Sequence, residues 1–272
     1  MKIVLSGKGG VGKTTLCALL AREAASKGYR VLAVDADPNP TLAATFGLSE
    51  EPRPLVEFQG LIEERLGSLE GFFRLNPKVD DIPGRFAVRK DGVEILVMGP
   101  IRRGGEGCAC PQSTFLKSLL QHIVLDRDDL VLLDVEAGLE SLGRATVQGV
   151  DCLLAVVEPD SKSLLTAGRI SRLAQDIGLK NIFAVANKIR EPADSKYIQD
   201  HLPPELVLLG TLPDSEAIRR AGRERQSCDL TEDPAVHEGI KDLLKRLEAF
   251  HGMRRDHGCT CQKGKDDGTN LL

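Results

Sequence analysis

The amino-acid sequence predicts an α/β fold in which helices cover both faces of a mostly parallel central sheet. Short runs of Val, Ile and Leu without polar alternation recur along the chain, as expected for strands that are buried on both faces. These runs alternate with segments of helical periodicity, a pattern that is typical of parallel strands joined by crossover helices. Both observations favour a doubly covered sheet over a sandwich of antiparallel strands.

The same patterns assign the individual elements. We predict strands at 2–6, 30–34, 93–98, 130–135, 151–157, 181–186 and 206–209. We predict helices at 13–27, 113–125, 138–148, 161–177, 215–223 and 234–251. The pattern weakens at 47–92, which we interpret as an insertion beside the sheet. The sequence therefore predicts one domain over 1–251, followed by a flexible tail at 252–272 that contains cysteines.

The composition excludes several classes of protein. The net charge of -4 gives no general attraction to nucleic acid or to an anionic membrane. No stretch approaches the roughly 18 apolar residues of a membrane span, and the opening apolar run is too short for a signal peptide. We therefore expect a cytoplasmic protein whose seven cysteines serve metal binding, catalysis or burial rather than disulfides.

A glycine-rich segment between the first strand and the first helix is the main functional signal. It satisfies the pattern Gly-x-x-x-x-Gly-Lys-Ser/Thr of a phosphate-binding loop, whose backbone N–H groups surround phosphate oxygens. The Lys13 ammonium is expected to reach the β- and γ-phosphates, and the Thr14 hydroxyl to bind Mg²⁺. The sequence therefore predicts a P-loop NTPase with the nucleotide-binding residues Gly9, Gly10, Val11, Gly12, Lys13, Thr14 and Thr15.

Two carboxylates follow predicted strands and are expected to complete the site. Asp37 comes just after the second strand, and Asp134 lies at the end of the strand at 130–135. Loops at the carboxyl ends of parallel strands form the ligand crevice. We expect Asp134 to hold Mg²⁺ through water and Asp37 to orient the attacking water as a catalytic residue. The alternative is that such acids only cap helices.

Asn187 and Lys188 close another predicted strand. A carboxamide at that edge can donate to and accept from the adenine of a nucleotide, so we predict that both residues contribute to nucleotide binding. The alternative for Asn187 is an ordinary turn residue.

The segment from Lys8 to Thr15 resembles the deviant Walker A motif of the MinD, ParA and nitrogenase iron protein superfamily. The Asp-Ala-Asp-Pro sequence that begins at Asp35 and the later Asn187-Lys188 pair strengthen the resemblance, which covers the chain to about residue 251. It implies a homodimer with ATP at the interface, in which Lys8 reaches the nucleotide of the partner subunit as a catalytic residue. Such a lysine adds positive charge where the transferring phosphoryl group accumulates negative charge.

Two local patterns narrow the resemblance. They are the segment GEGCACP at 105–111 and the segment DVEAGLE at 134–140, which is followed by Arg144. Both are similar to the CooC-type ATPases, which assist nickel insertion into carbon monoxide dehydrogenase; a related factor serves acetyl-CoA synthase. The resemblance implies Ni²⁺ as cargo and a nickel enzyme as client.

Cys108 and Cys110 lie in a segment rich in Gly and Ala, where two thiolates can face one soft cation. A two-fold axis would supply two more thiolates and complete a four-sulfur site for nickel, for which zinc would compete. The alternative is a chance pair or two structural cysteines. A second pair, Cys259 and Cys261, is open to three interpretations: a nickel-capturing arm, a ligand that swings to the first pair, or an exposed dithiol.

Two other classes of function are compatible with the superfamily. One is an electron donor with an interfacial iron–sulfur cluster, although the nitrogenase iron protein takes its ligands from two separated positions in each subunit. The other is a positioning ATPase that binds membrane or DNA. The tail carries glycines and acids rather than an amphipathic helix. A solvated helix face explains the basic cluster equally well, so we expect neither membrane nor nucleic acid as partner; the cluster comprises Arg219, Arg220, Arg223 and Arg225.

Overall fold

A computed structural model describes residues 1–67, 77–99, 111–126, 129–139, 142, 144–224, 226–227 and 230–258. Within these residues, eight strands form one sheet in the order β3-β4-β2-β5-β1-β6-β7-β8. All neighbouring strands are parallel except β3 and β4. The strands are β1 Lys2–Gly7, β2 Val31–Asp35, β3 Val88–Lys90, β4 Val93–Val97, β5 Leu130–Asp134, β6 Cys152–Val157, β7 Ile182–Ile189 and β8 Val207–Pro213.

Helices lie on both faces of this sheet, which confirms the predicted fold class. The helices are α1 Lys13–Ser26, α2 Leu42–Thr45, α3 Gln59–Leu66, α4 Ile82–Phe86, α5 Pro111–Asp126, α6 Arg144–Val147, α7 Ser161–Asp176, α8 Pro192–His201, α9 Glu216–Glu224 and α10 Pro234–Gly258. Short 3-10 turns occur at Leu55–Glu57 and Leu230–Glu232. None of the helices in the described part of the chain is long and apolar enough to cross a bilayer.

The alternation of side chains along each strand divides the interior into two cores. Val4 and Leu133 point to the face covered by α5 and α7, whereas Leu5 and Leu132 point to the face covered by α1 and α10. Because successive side chains of a strand face opposite ways, a strand with both faces covered has to be apolar throughout. This explains why the apolar runs indicated the central strands.

The insertion at 47–92 contains more structure than the sequence indicated. Its α3 packs against α5, and β3 extends the sheet by an antiparallel pairing with β4. The turn between these strands contains Asp91 and Gly92, both with positive φ, which is the backbone that tight hairpins require. The sequence prediction missed β3, α2, α3, α4 and α8.

Two predicted helices have different bounds in the structure. The helix predicted at 138–148 is reduced to α6, because the chain turns at Leu139, where φ is 55°. The last helix does not end at residue 251 but continues to Gly258. Residues 259–272, with Cys259 and Cys261, lie outside the described residues.

Candidate nucleotide site

The candidate site lies where β1, β2 and β5 end side by side. The parallel register pairs Leu5 with Asp134 and Asp35 with Asp134. The loop that follows β1 therefore lies directly beside the acidic ends of its neighbours. The structure thus brings together the glycine-rich segment and the two carboxylates predicted from sequence.

The loop between β1 and α1 needs glycine at particular positions. Gly12 precedes α1 with φ 94°, and a Cβ there would lie 2.4 Å from Asn187 Nδ2. Gly10 has φ 84°. Since L-residues rarely adopt this backbone, the loop's shape depends on these glycines. Its last residues open the N-terminus of α1, where backbone N–H groups and the helix dipole favour an anion.

Lys13, at the start of α1, is held between two carboxylates. Its Nζ lies 2.6 Å from Asp37 Oδ2 and 3.8 Å from Asp134 Oδ1. Burial lowers the pKa of Lys13, but Asp134 and Asp37 raise it more strongly, so its pKa is above the ordinary value. Lys13 is therefore charged, and a phosphate can replace Asp37 as its counter-ion.

Asp134 is a carboxylate that lacks hydrogen-bond partners among the described residues. It is fully buried, and neither of its oxygens accepts a hydrogen bond within 3.5 Å from the described residues. Burial raises its pKa to about 7, opposed by Lys13 and by the nearby Thr14 hydroxyl. A buried carboxylate whose oxygens accept no hydrogen bond within 3.5 Å, together with a nearby hydroxyl, is a set of oxygen ligands that suits a hard cation such as Mg²⁺. The residues present therefore fit the predicted magnesium site.

Asp35 has a positioning role that the sequence analysis did not assign. Its buried carboxylate accepts hydrogen bonds from the backbone N–H groups of Asp37, Thr41 and Leu42. Burial raises the pKa of Asp35, and these donors oppose the shift. Because the carboxylate fixes the turn after β2, it fixes the place of Asp37. In the sequence, the available indication of this role was an acidic residue at the end of an otherwise apolar strand.

Lys8 points to its own chain in this structure. Its Nζ lies 2.7 Å from Asp160 Oδ2 and 3.6 Å from Glu158 Oε1. The hydrogen bond to Asp160 raises the pKa of Lys8 and lowers that of Asp160. Sequence reasoning missed both acids. In the sequence, the indication that they could reach the site was their position just after the strand β6.

Asn187 and Lys188 contact the phosphate loop from the end of β7. Asn187 Nδ2 donates to Val11 O at 2.8 Å, and Lys188 Nζ donates to Gly10 O at 2.5 Å. A hollow next to Asn187 is a candidate site for the base. It is lined by Gly12, Thr15, Leu16, Asn187, Pro213 and Ile218, among others. The sequence analysis did not single out Pro213 or Ile218.

Cys108 and Cys110 lie outside the described residues, as does the rest of 100–110. Within the described part, no group of three or more His, Cys, Asp or Glu side chains is arranged to hold a metal. Cys17 and Cys152 are buried free thiols, and burial raises the pKa of Cys17 well above its ordinary value.

The loop, its lysine and the buried acid on a parallel sheet define a P-loop ATPase, for which nucleotide and Mg²⁺ are the expected cofactors. The family model for the CobQ/CobB/MinD/ParA nucleotide binding domain matches residues 2–228. The chain belongs to this family.

Similar proteins agree with this assignment. The chain is 43% identical over 265 residues to the carbon monoxide dehydrogenase accessory protein CooC of Rhodospirillum rubrum, covering 93% of this chain and all of the relative. It is 46% identical over 226 residues to an uncharacterized ATP-binding protein of Methanocaldococcus jannaschii, covering 80% of this chain and 88% of the relative. The resemblance to CooC-type ATPases is therefore confirmed at the level of sequence.

Solved structures show the same fold. A chain of the MinC:MinD cell division protein complex of Aquifex aeolicus matches with a TM-score of 0.66 at 19% identity, over 92% of this chain and 96% of that chain. The septum site-determining protein MinD of Pyrococcus horikoshii, complexed with Mg-ADP, matches with a TM-score of 0.64 at 20% identity, over 93% and 98% of the two chains. At these identities the likeness concerns the fold alone.

Proposed function

We propose that this ATPase works in the cytoplasm as a homodimeric maturation factor, which binds nickel and assists its insertion into carbon monoxide dehydrogenase or acetyl-CoA synthase. The observation that carries the proposal is the similarity to the accessory protein CooC along the whole length of that relative. The segments at 105–111 and 134–140 add support, because the resemblance to CooC-type ATPases was drawn from them.

ATP would enter at the loop before α1. Lys13 exchanges its contact with Asp37 for the β- and γ-phosphates, which leaves the Asp37 carboxylate free to orient the attacking water. Thr14 and Asp134 would hold Mg²⁺, which neutralises charge that develops on the phosphates. In the dimer, Lys8 would leave Asp160 and supply its positive charge to the nucleotide of the partner subunit.

The cargo would bind at Cys108 and Cys110. The described residues that flank this segment, Gly99 after β4 and Pro111 at the start of α5, lie at the same edge of the sheet as the phosphate loop. We propose that the γ-phosphate acts on this segment through the flanking residues at that edge. Two copies of the chain would supply four thiolates, which suit nickel or zinc.

The arginines on α9 form ion pairs with nearby acids, which argues against DNA as a partner. Arg219 pairs with Asp214 and Glu216, and Arg220 pairs with Glu232. Arg223 pairs with Glu216 at 2.7 Å. Because these guanidinium groups are neutralised by nearby acids, they offer little net charge to a phosphate backbone. Arg225 lies outside the described residues.

The deciding experiment measures nickel per chain and oligomeric state together, with and without Mg-ATP. The test variant is Cys108→Ser/Cys110→Ser, and the matched control is Cys259→Ser/Cys261→Ser, which removes the same number of thiols. We expect the test variant to lose stoichiometric nickel while it still binds ATP. The control should also bind ATP, and nickel lost by the control alone would assign the metal to the second cysteine pair instead. Full nickel in the test variant would remove the proposed cargo site. A reconstituted assay then asks whether ATP increases nickel incorporation into nickel-free carbon monoxide dehydrogenase.

A further inference from the structure

Asn187 and Lys188 hold the phosphate loop from behind, and this suggests a role beyond contact with the base. We infer that the two side chains form a brace that keeps the loop in its anion-binding conformation, so that affinity for the triphosphate itself depends on them. The inference rests on the proposed ATP site and assigns both as positioning residues.

Asn187 fixes one peptide plane of the loop. Its Nδ2 donates to Val11 O at 2.8 Å. In a planar trans peptide, the N–H of the next residue points away from that carbonyl, so this bond turns the Gly12 N–H toward the opposite side of the loop. The amide also occupies the space that a side chain at Gly12 would need, since a Cβ there would lie 2.4 Å from Nδ2.

Lys188 fixes the preceding peptide. Its Nζ donates to Gly10 O at 2.5 Å and lies 3.1 Å from Glu158 Oε2. The N–H of the same peptide, that of Val11, donates to Lys8 O at 3.3 Å and closes the tight turn. The carboxylate of Glu158, just after β6, therefore anchors an ammonium group that in turn holds the loop.

A local irregularity of β7 lets two consecutive side chains reach the same loop. Ala186 pairs with Thr211 of β8, but Ile189 pairs with Pro213, so β7 carries one extra residue across this interval. Lys188 has φ 60°, a left-handed backbone that is unusual for a lysine. Regular strands point neighbouring side chains to opposite faces, whereas a bulge redirects them.

The position on β7 also explains why such a brace is effective. β7 is hydrogen-bonded to β6 on one side and β8 on the other, so the two donors start from a rigid part of the sheet. The loop itself is rich in glycine and has many accessible conformations when it is free. Restricting it before the anion arrives lowers the entropic cost of binding.

The test compares a ligand that has a base with one that has none. ATP and inorganic tripolyphosphate, each with Mg²⁺, are titrated calorimetrically into wild type, Asn187→Ala, Lys188→Met and the remote exposed control Lys180→Met. For the two brace variants we expect the dissociation constants for both ligands to rise by the same factor, about tenfold or more. The control should bind both ligands like wild type. Asn187→Ala is the decisive variant because it changes no charge.

The outcomes separate the possible explanations. If Asn187→Ala weakens ATP but leaves tripolyphosphate unchanged, Asn187 acts on the base and the brace is refuted. If either brace variant binds both ligands as tightly as wild type, the brace is also refuted. Lys188→Arg, which keeps a donor, should recover part of the loss, and no recovery counts against the contact with Gly10 O. A wild type that binds neither ligand would reject the ATP site itself.

Discussion

The buried charge of Asp134 should make the nucleotide-free protein less stable as the pH rises. Its pKa is raised from the ordinary value of 3.8 to about 7, so between these values the folded state binds more protons than the unfolded state. Stability from this group therefore falls with increasing pH across that window, and the full cost is present above about pH 7. A pKa difference of about three units between the folded and unfolded states corresponds to a loss of stability of about 4 kcal/mol.

Asp134→Asn removes this charge while keeping the shape of the side chain. A buried amide without partners costs about 1–3 kcal/mol, so the expected net gain at about pH 8 is about 1–3 kcal/mol. At about pH 5 the wild-type carboxyl is already mostly protonated in the folded state, so the variant's advantage should shrink by about 2–3 kcal/mol.

Urea unfolding of nucleotide-free protein in chelator, at both pH values, measures this difference. Asp176→Asn, on the exposed surface of α7, is the matched control. It should leave the free energy of unfolding unchanged at both pH values. The reasoning is refuted if the stability difference between Asp134→Asn and wild type is the same at both pH values. In the same variant, Mg²⁺-dependent hydrolysis should be lost, because the carboxylate that would hold the ion is gone.

Three further substitutions test the other parts of the site. Lys13→Ala should abolish ATP turnover and lower stability by about 3 kcal/mol, because it leaves two carboxylates without their shared partner; unchanged turnover in pure protein would contradict this. Lys8→Ala should keep ATP affinity and lose at least about 100-fold in turnover; a parallel loss of affinity would count against a role in trans. Gly12→Ala should prevent ATP binding and destabilise the fold by more than about 1 kcal/mol, whereas Gly9→Ala, whose Cβ would meet no atom within 4 Å, should fold like wild type by thermal melting.

The central sheet was predictable because each central strand is apolar on both faces. The predicted bounds of β1, β2 and β5 are within about one residue of the observed ones. The edge strand β3 was missed because its residues are only partly buried and it exists through its pairing with β4. α8 was missed because only Ile198 is fully buried along it, so the sequence has no helical period of apolar residues.

The candidate site was predictable where a local motif dictates backbone shape. The glycines and Lys13 follow from spacing within one short segment, and Asp134 follows from its place at the end of a strand. The contacts of Lys8 with Asp160 and of Lys188 with Gly10 join residues more than 150 positions apart. Nothing in the spacing of such residues shows that they meet. Only the parallel order of β1, β6 and β7 brings them together.

The course of α10 bears on the second cysteine pair. The helix begins beside the carboxyl end of β8, where Gly239 approaches Thr211 O, and it runs back to the amino ends of the strands. There Phe250 stacks edge-to-face on Phe183, and His251 lies 3.5 Å from Asp151, just before β6. Its last turns, to Gly258, continue about 10 Å further.

Cys259 and Cys261 follow within three residues of Gly258, a reach of at most about 10 Å. β6 alone spans about 20 Å between the two rims of the sheet. While α10 is folded, the chain therefore leaves the helix at the rim of the sheet opposite the one where Gly99 and Pro111 flank the first cysteine pair.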